Sequence, residues 1–253
     1  PNGMSLVYPP SHCPKCEHPI PFYENIPVFS WFFLRGKCSA CHESISFRYP
    51  FIEFLTAVTF LAIWLVYPYF QLLPEFAVFP TLLLHFTAAS ILIASAFTDC
   101  DYKIVPDEFV ITLLIADILH VFCIWEHFAE YHGLTLKSFA ILGRIATAEL
   151  LPAVLVACLL AGLAMLGHAI LHKTALGWGD VKLLAVLVPV LSIVPFLVGL
   201  LAACVIAVLF APLYRKLKPK YRHRALPFVP FIAVGMAISF FFFAIYPDAV
   251  FPF

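Results

Sequence analysis

The sequence predicts an all-α polytopic membrane protein with a small cysteine-bearing module at its amino end. Three observations carry that expectation. The 253 residues are 63% hydrophobic and 12% charged, with a mean hydropathy of +0.97, far from the roughly 45–50% apolar and ~25% charged make-up of soluble domains. Uncharged runs of about 20 residues, enough to cross ~30 Å of hydrocarbon as helix, recur along the chain. The first 50 residues differ from the rest of the chain: they hold four cysteines, several prolines and most of the polar turns, whereas almost everything after Tyr49 is apolar.

Residues 52–70, 77–98, 148–170 and 225–246 read directly as spans. Residues 108–125 form another provided that Asp117 and His120 turn towards the bundle, because ionisable side chains inside a membrane seldom face lipid. No charge occurs between Lys182 and Arg215, too long for one ordinary span. Ser192 and Pro195 break it into 183–193 and 196–213. The first piece is short, so it is tilted, sunk deep in the bundle, or extended at its ends. This chain is therefore expected to make about seven crossings, with Trp125 to Lys137 an external loop.

Basic residues orient these crossings. One face carries Lys15, Arg35, Lys37, Arg48, Lys103, Lys173, Lys182 and the six basic residues of 215–224, whereas the other carries only Lys137 and Arg144. The cysteine module, the 99–107 loop, the 171–182 loop and the basic RKLKPKYRHR run are thus expected in the cytoplasm, and the carboxyl terminus outside. Formal net charge is zero, so nothing global argues for nucleic acid as a partner. The basic run competes as a nucleic-acid or acidic-lipid site, but beside two spans it reads as a topology signal. The first 50 residues lack the charged start, apolar stretch and small-residue cleavage site of a signal peptide.

Cys13-Pro-Lys-Cys16 and Cys38-Ser-Ala-Cys41 form two C-x2-C pairs 21 residues apart, close to the spacing of four-thiolate zinc sites. Four thiolates closing a tetrahedron leave no position for substrate, so the metal is structural. Two disulfides are the alternative, disfavoured in a reducing compartment. A thioredoxin-like role needs a βαβ setting that the sequence lacks. Cys100, Cys123, Cys158 and Cys204 read as small apolar residues of the spans.

Two carboxylate-bearing segments face the cytoplasm. One runs from Asp99 through Asp101 to Asp107. The other is Gly177-Trp178-Gly179-Asp180-Val181-Lys182, where the glycines are expected to permit a tight turn delivering Asp180 at a helix start. Hydrolysing a peptide bond without a catalytic metal or a side-chain nucleophile takes two carboxylates, one ionised to activate water and one protonated to assist the substrate. Asp99 and Asp180 are the candidates. Asp99 is expected after a helix carboxyl end and Asp180 before an amino end, which assigns the shared proton to Asp99. Asp101 reads as a helix cap or solvated loop residue, and Asp107 as the cap of the following span. Lys182 is a candidate for substrate carbonyls or lipid headgroups, set against a snorkelling role.

Asp117, His120 and Glu149 keep a proton-conducting transporter open as an alternative, although the internal repeat usual in transporters is absent. A zinc-bearing scaffold is a third reading, and it leaves the Gly-Trp-Gly-Asp turn without purpose. No Ser-His-Asp, H-E-x-x-H, Walker or G-x-G-x-x-G pattern occurs.

The chain resembles the bacterial type IV prepilin peptidases, the bifunctional prepilin leader peptidase and N-methyltransferase family of type IV pilus and type II secretion systems. The resemblance rests on the cysteine pairs, Asn25-Ile26-Pro27, Ser30-Trp31, Leu34-Arg35-Gly36, Ile45-Ser46, Arg48-Tyr49-Pro50, Glu53, the D-x-D-x4-P-D segment from Asp99 to Asp107, Gly-Trp-Gly-Asp-Val-Lys and Leu226-Pro227-Phe228. The G-x-G-D element also occurs in presenilin-type proteases, but the cysteine module selects the bacterial branch. The resemblance implies Asp99 and Asp180 as the catalytic pair; Gly177, Gly179, Lys182, Asp101 and Asp107 are the supporting candidates of the residue reading. It implies removal of the basic leader of prepilins and pseudopilins after a glycine at the cytoplasmic face of the bacterial inner membrane. It also implies S-adenosylmethionine-dependent methylation of the new amino terminus, associated with residues 1–50, ahead of a protease domain at 51–253. Membrane lipid is the surrounding partner, and no nucleic acid is implied. A span usually precedes the cysteine module in this family, so eight spans are expected in the full-length protein. Val229 stands where a glycine is common.

Overall fold

The structure, a computed structural model, describes residues 11–66, 75–132, 136–171, 176–217 and 226–246. The chain forms two compact units, Pro1–Leu61 and Ala62–Phe253. The division falls inside helix α2 (Arg48–Val66) rather than at the expected change of composition near residue 50.

The first unit contains a 3-10 turn, Phe22–Glu24, a short helix α1 (Phe29–Phe33) and the start of α2. Side-chain-to-backbone bonds replace a large core. Trp31 Nε1 donates to the Ile45 carbonyl at 3.0 Å, and Ser30 Oγ accepts from the Ile26 N–H at 2.9 Å while donating to Tyr23 O at 3.1 Å. Glu53 Oε2 accepts from the Val28 N–H at 2.7 Å. Gly36 adopts φ of +67°, and a β-carbon there would come within 2.7 Å of the Trp31 ring, so both the backbone and the space require glycine. Several residues that carried the family resemblance are thus the frame of this unit.

The second unit holds α3 (Glu75–Tyr102), α4 (Asp107–His132), α5 (Leu136–Leu171), α6 (Trp178–Leu191), α7 (Ile193–Leu217) and α8 (Val229–Ile245). Among the described residues, five helical segments are long and apolar enough to cross a membrane: Arg48–Val66, Phe76–Tyr102, Asp107–Glu126, Leu150–Ile170 and Ile193–Tyr214. At 17 residues α8 is shorter, and α6 has only 14, about 21 Å of helix.

The chain breaks between α6 and α7 at Ser192, whose φ is +67°, as the sequence predicted. Of the three options for the first piece, two are met: α6 is extended back to Trp178, and it lies deep in the unit. Leu183, Leu184, Leu187 and Val188 are each at most 1% exposed, and α6 packs against α3, α4, α5 and α7. A helix apolar all round is stable when neighbours cover it, so α6 forms the core of the unit.

The external loop expected over Trp125 to Lys137 is corrected. Helix α4 continues to His132 and α5 begins at Leu136, because Trp125 to His132 contain neither glycine nor proline to stop propagation. Residues 133–135, Lys173 and 218–225 lie outside the described residues, as do the side chains of Lys137 and Glu149.

Helices α7 and α8 pack through small residues, as membrane helices without a hydrophobic driving force do. A β-carbon on Gly235 would overlap the Gly199 carbonyl oxygen and lie 2.6 Å from the Ala203 nitrogen. Both obstacles are backbone, so neither rotates away. Gly235→Val is expected to destabilise the unit by about 1–3 kcal/mol, the usual cost of overpacking. The check is the melting temperature in detergent beside Val234→Ala, which faces no such obstacle and is expected to stay near wild type.

Candidate active site and metal centre

In the first unit the two C-x2-C segments fold alike. Cys13 N–H donates to His18 O and Cys38 N–H to Glu43 O, both at 2.9 Å, while Glu17 N–H and His42 N–H return to Cys13 O and Cys38 O. Glu17 and His42 occupy equivalent places, each with φ of +58°. Isolated bridges His12–Pro19 and Lys37–Ser44 close the two knuckles.

The knuckles bring all four sulfurs within 4.8 Å of one another. Cys13 Sγ lies 3.8 Å from Cys41 Sγ, and Cys16 Sγ 4.0 Å from Cys38 Sγ. A tetrahedron with ~2.3 Å zinc–sulfur bonds has edges of ~3.8 Å, whereas disulfide sulfurs stand ~2.05 Å apart. The donor set fits a closed zinc site. The amides of Lys15 and Cys16 point at Cys13 and lower its thiol to about 6. At Cys41 the Glu43 amide pulls down, but the neighbouring cysteines push the thiol up to about 12. Four thiolates this close repel, and a bound cation is what allows all four to ionise together.

In the second unit, Asp99 lies within the last turn of α3 and is 6% exposed. Its Oδ2 accepts the Val229 N–H at 3.1 Å, at the first residue of α8. Asp180 is the third residue of α6 and reaches back to the amide of Gly177, the N-cap, in the manner of an acidic side chain closing a capping box. Asp180 is half-buried and lies ahead of the apolar stretch 183–193. Burial, then the charge of Asp99, raise its pKa to about 6 against the pull of the Gly177 amide. The two carboxylates therefore lie within electrostatic reach of each other.

This arrangement revises the expected division of the proton. The end of α3 by itself assigns the proton to Asp99, but the amino end of α8 also faces that carboxylate. Each carboxylate now accepts a backbone amide at a helix start, so helix fields no longer separate them, and the pair titrates as a unit.

The role expected of the glycines is also corrected. Gly177 has an ordinary extended conformation, φ −72° and ψ 141°. What the structure requires is space at Gly179, where a β-carbon would come within 3.0 Å of Val105 Cβ. That approach presses the segment after Asp101 against the start of α6.

Asp107 is the first residue of α4 rather than its cap, and its Oδ1 binds Lys182 Nζ at 2.8 Å. Lys182 thereby joins the two aspartate segments, a role of which the sequence holds no sign. Their side chains are 50% and 64% exposed, so the pair contributes at most about 1 kcal/mol. Lys182→Ala and Asp107→Asn are expected to lower stability by that little, with the double variant no worse than either single one, as read by chemical denaturation. Asp101 is exposed.

Asp117 is 4% exposed and faces the bundle, as its span required. His120 meets Thr81 Oγ1 at 2.9 Å. Because that hydroxyl donates to Ala77 O, it accepts from His120 Nε2. His85 Nδ1 in turn donates to Thr81 O at 2.7 Å. These polar groups tie α3 to α4 far along the helices from Asp99. The sequence alone does not single out His85, Thr81, Val105 or the Val229 amide. Leu226-Pro227-Phe228 was the available signal for the last of these.

Residues 1–67 match the Bacterial Peptidase A24 N-terminal domain, and residues 86–212 the Type IV leader peptidase family. The chain is similar to the Prepilin leader peptidase/N-methyltransferase of Aeromonas salmonicida (strain A449), at 31% identity over 91% of this chain and 70% of that protein. Proteins of the same description match from Pectobacterium carotovorum subsp. carotovorum, at 32% over 91% of this chain and 74% of the relative, and from Neisseria gonorrhoeae, at 34% over 81% and 65%. No solved structure matches the chain.

Proposed function

The chain belongs to the type IV leader peptidase family, and we infer that it is a membrane-embedded prepilin leader peptidase and N-methyltransferase that cleaves by a two-aspartate mechanism. What supports this reading is the placing of Asp99, 6% exposed at the end of α3, and Asp180, half-buried at the start of α6, near enough for the charge of one to act on the other.

The ionised member of the pair takes a proton from water as the water oxygen attacks the scissile carbonyl. The protonated member hydrogen-bonds that carbonyl, and the departing amine leaves with a proton. The Val229 N–H holds Oδ2 of Asp99, and the Phe228 amide is directed at the same carboxylate. Gly179 admits Val105 against the start of α6 and so keeps the two segments together. Lys182 and Asp107 support that juxtaposition from the surface.

Residues 1–50 are a cytoplasmic zinc module and 51–253 the protease domain in this reading. Cys13, Cys16, Cys38 and Cys41 hold the metal, which when bound supplies cross-linking and folding energy. S-adenosylmethionine is the methyl donor implied by N-methylation. No described residue of the module identifies its seat, so methyl transfer rests on family membership alone. Prepilins and pseudopilins are the substrates, entering laterally from the lipid of the bacterial inner membrane with the charged leader in the cytoplasm and the cut after a glycine. The basic-residue distribution supports the module and both aspartate segments on the cytoplasmic side and the carboxyl terminus outside.

The test is to incubate the purified chain in liposomes with a prepilin and S-adenosylmethionine, and to read the product by mass spectrometry. Loss of the leader and gain of one methyl group on the new amino terminus are expected. An untouched prepilin would overturn the reading.

A further inference from the structure

Helix α1 turns an aromatic face away from its own unit. Phe29, Phe32 and Phe33 recur at i, i+3 and i+4, which is one face of a helix, and are 63%, 59% and 83% exposed. Ser30 and Trp31 lie off that face and are used inside the unit, Ser30 by joining Ile26 to Tyr23 and Trp31 by bonding Ile45 and meeting the Phe47 ring at 5.4 Å. Phe22, in the adjoining 3-10 turn, is also exposed. So much open aromatic surface on so small a unit marks a contact with something apolar.

The place where α1 is held says what that contact is. Glu53 lies on the second turn of α2, about 8 Å along the helix from Arg48, and its Oε2 accepts the N–H of Val28, the N-cap of α1. Val28 has φ of +64°, a conformation that a β-branched residue adopts only when its surroundings impose it, so the entry to α1 is fixed. After Glu53 no charged side chain occurs until Glu75, so the hydrocarbon that α2 crosses begins within about one turn of this tether. From there Phe54, Val58 and Leu61 form an exposed apolar stripe of α2 at i, i+4 and i+7. The aromatic helix is thereby hung at the depth where headgroups give way to acyl chains, continuous with the lipid-facing stripe of the span.

We propose that α1 lies in the membrane interface, with Phe29, Phe32 and Phe33 among the upper acyl carbons of the leaflet that α2 enters, so that the zinc module is seated on the bilayer instead of standing free in water. Interfacial helices sink their apolar face about 5–10 Å into the boundary between headgroups and acyl chains. The attraction is apolar: residues 11–61 carry four basic and four acidic side chains, with no positive excess to seek anionic headgroups. The proposal rests on α2 as a span and is independent of the aspartate pair.

The experiment reconstitutes the full chain in phosphatidylcholine liposomes with the photoreactive residue benzoylphenylalanine in place of Phe33, of Leu61 or of Glu43, an exposed residue of the second knuckle. After irradiation, mass spectrometry reads what each position has captured. Phospholipid is expected at Leu61 and at Phe33, with a severalfold lower yield at Glu43. Adding phosphatidylglycerol, at low or high salt, is expected to leave the Phe33 yield unchanged. Phospholipid at Leu61 with none at Phe33, or capture at Phe33 of the second unit or of another copy of the chain, overturns the proposal. So does an equal yield at Glu43, or a Phe33 adduct that forms only with anionic lipid. No phospholipid at Leu61 overturns α2 as a lipid-facing span, and leader cleavage by the unsubstituted chain, read in parallel, tests the protease reading by itself, which keeps the failures apart.

Discussion

Asp99→Asn and Asp180→Asn each lower leader cleavage by about 10²–10⁴-fold, the usual contribution of a positioned acid or base. The double variant is expected to be little worse than either single one, because a pair acting as one unit is lost when either member is lost. KM should change little, since neither amide removes an apolar contact. A radiolabelled or gel-based cleavage assay in liposomes decides this, and two variants that cut at the wild-type rate would return the transporter and scaffold readings to consideration.

Asp180 adds a pH dependence to the same experiment. Its pKa in the fold is raised to about 6, above the ordinary carboxylate value near ~3.9. The sign comes from linkage: the folded state favours the neutral form, so the stability this provides is full below ~3.9 and is lost as pH rises through about 6. Asparagine stays neutral at every pH. The melting temperature of Asp180→Asn should therefore gain on wild type between pH 4 and pH 7, and a constant difference across that range would rule out the raised pKa.

Cys13→Ser and Cys38→Ser are expected to reduce bound zinc from about one per chain to a small fraction, because a four-thiolate structural site with a missing ligand is no longer closed. Binding of structural zinc carries about 10–16 kcal/mol in small metal-folded peptides. The first unit has few buried side chains to replace it, so limited proteolysis should open it within residues 11–61. Cys204→Ser, in α7, should change neither readout. Full zinc content in the serine variants, or an intact mass showing two disulfides in the wild type, would reject the metal centre.

Residue type alone carried much of the candidate site. The cysteine spacing announced the knuckles, and a sequence this apolar exposes unusual residues by contrast, which is how Asp99 and Asp180 stand out. Asp107 and Lys182 are visible as residues but not as partners, since 75 positions separate them and only packing of α4 beside α6 brings them together. The stretch from Trp125 to His132 reads wrongly as a loop because polarity in a short stretch resembles one, whereas it holds neither glycine nor proline to end α4.

The sequence by itself determined that the chain belongs in a bilayer, that four sulfurs can gather at its amino end, and that two carboxylates stand beside apolar runs. These are properties of composition and spacing, and they survive any rearrangement of the helices. Tertiary structure decided which environment each group has. It buried α6 at the centre of the second unit, and it pressed Val105 onto Gly179. It also aimed the first amide of α8 at Asp99, which removes the difference in helix fields expected from the end of α3 alone. The physical reason is that a backbone N–H is the same in every residue but proline, so its direction becomes functional only when another helix is packed against it.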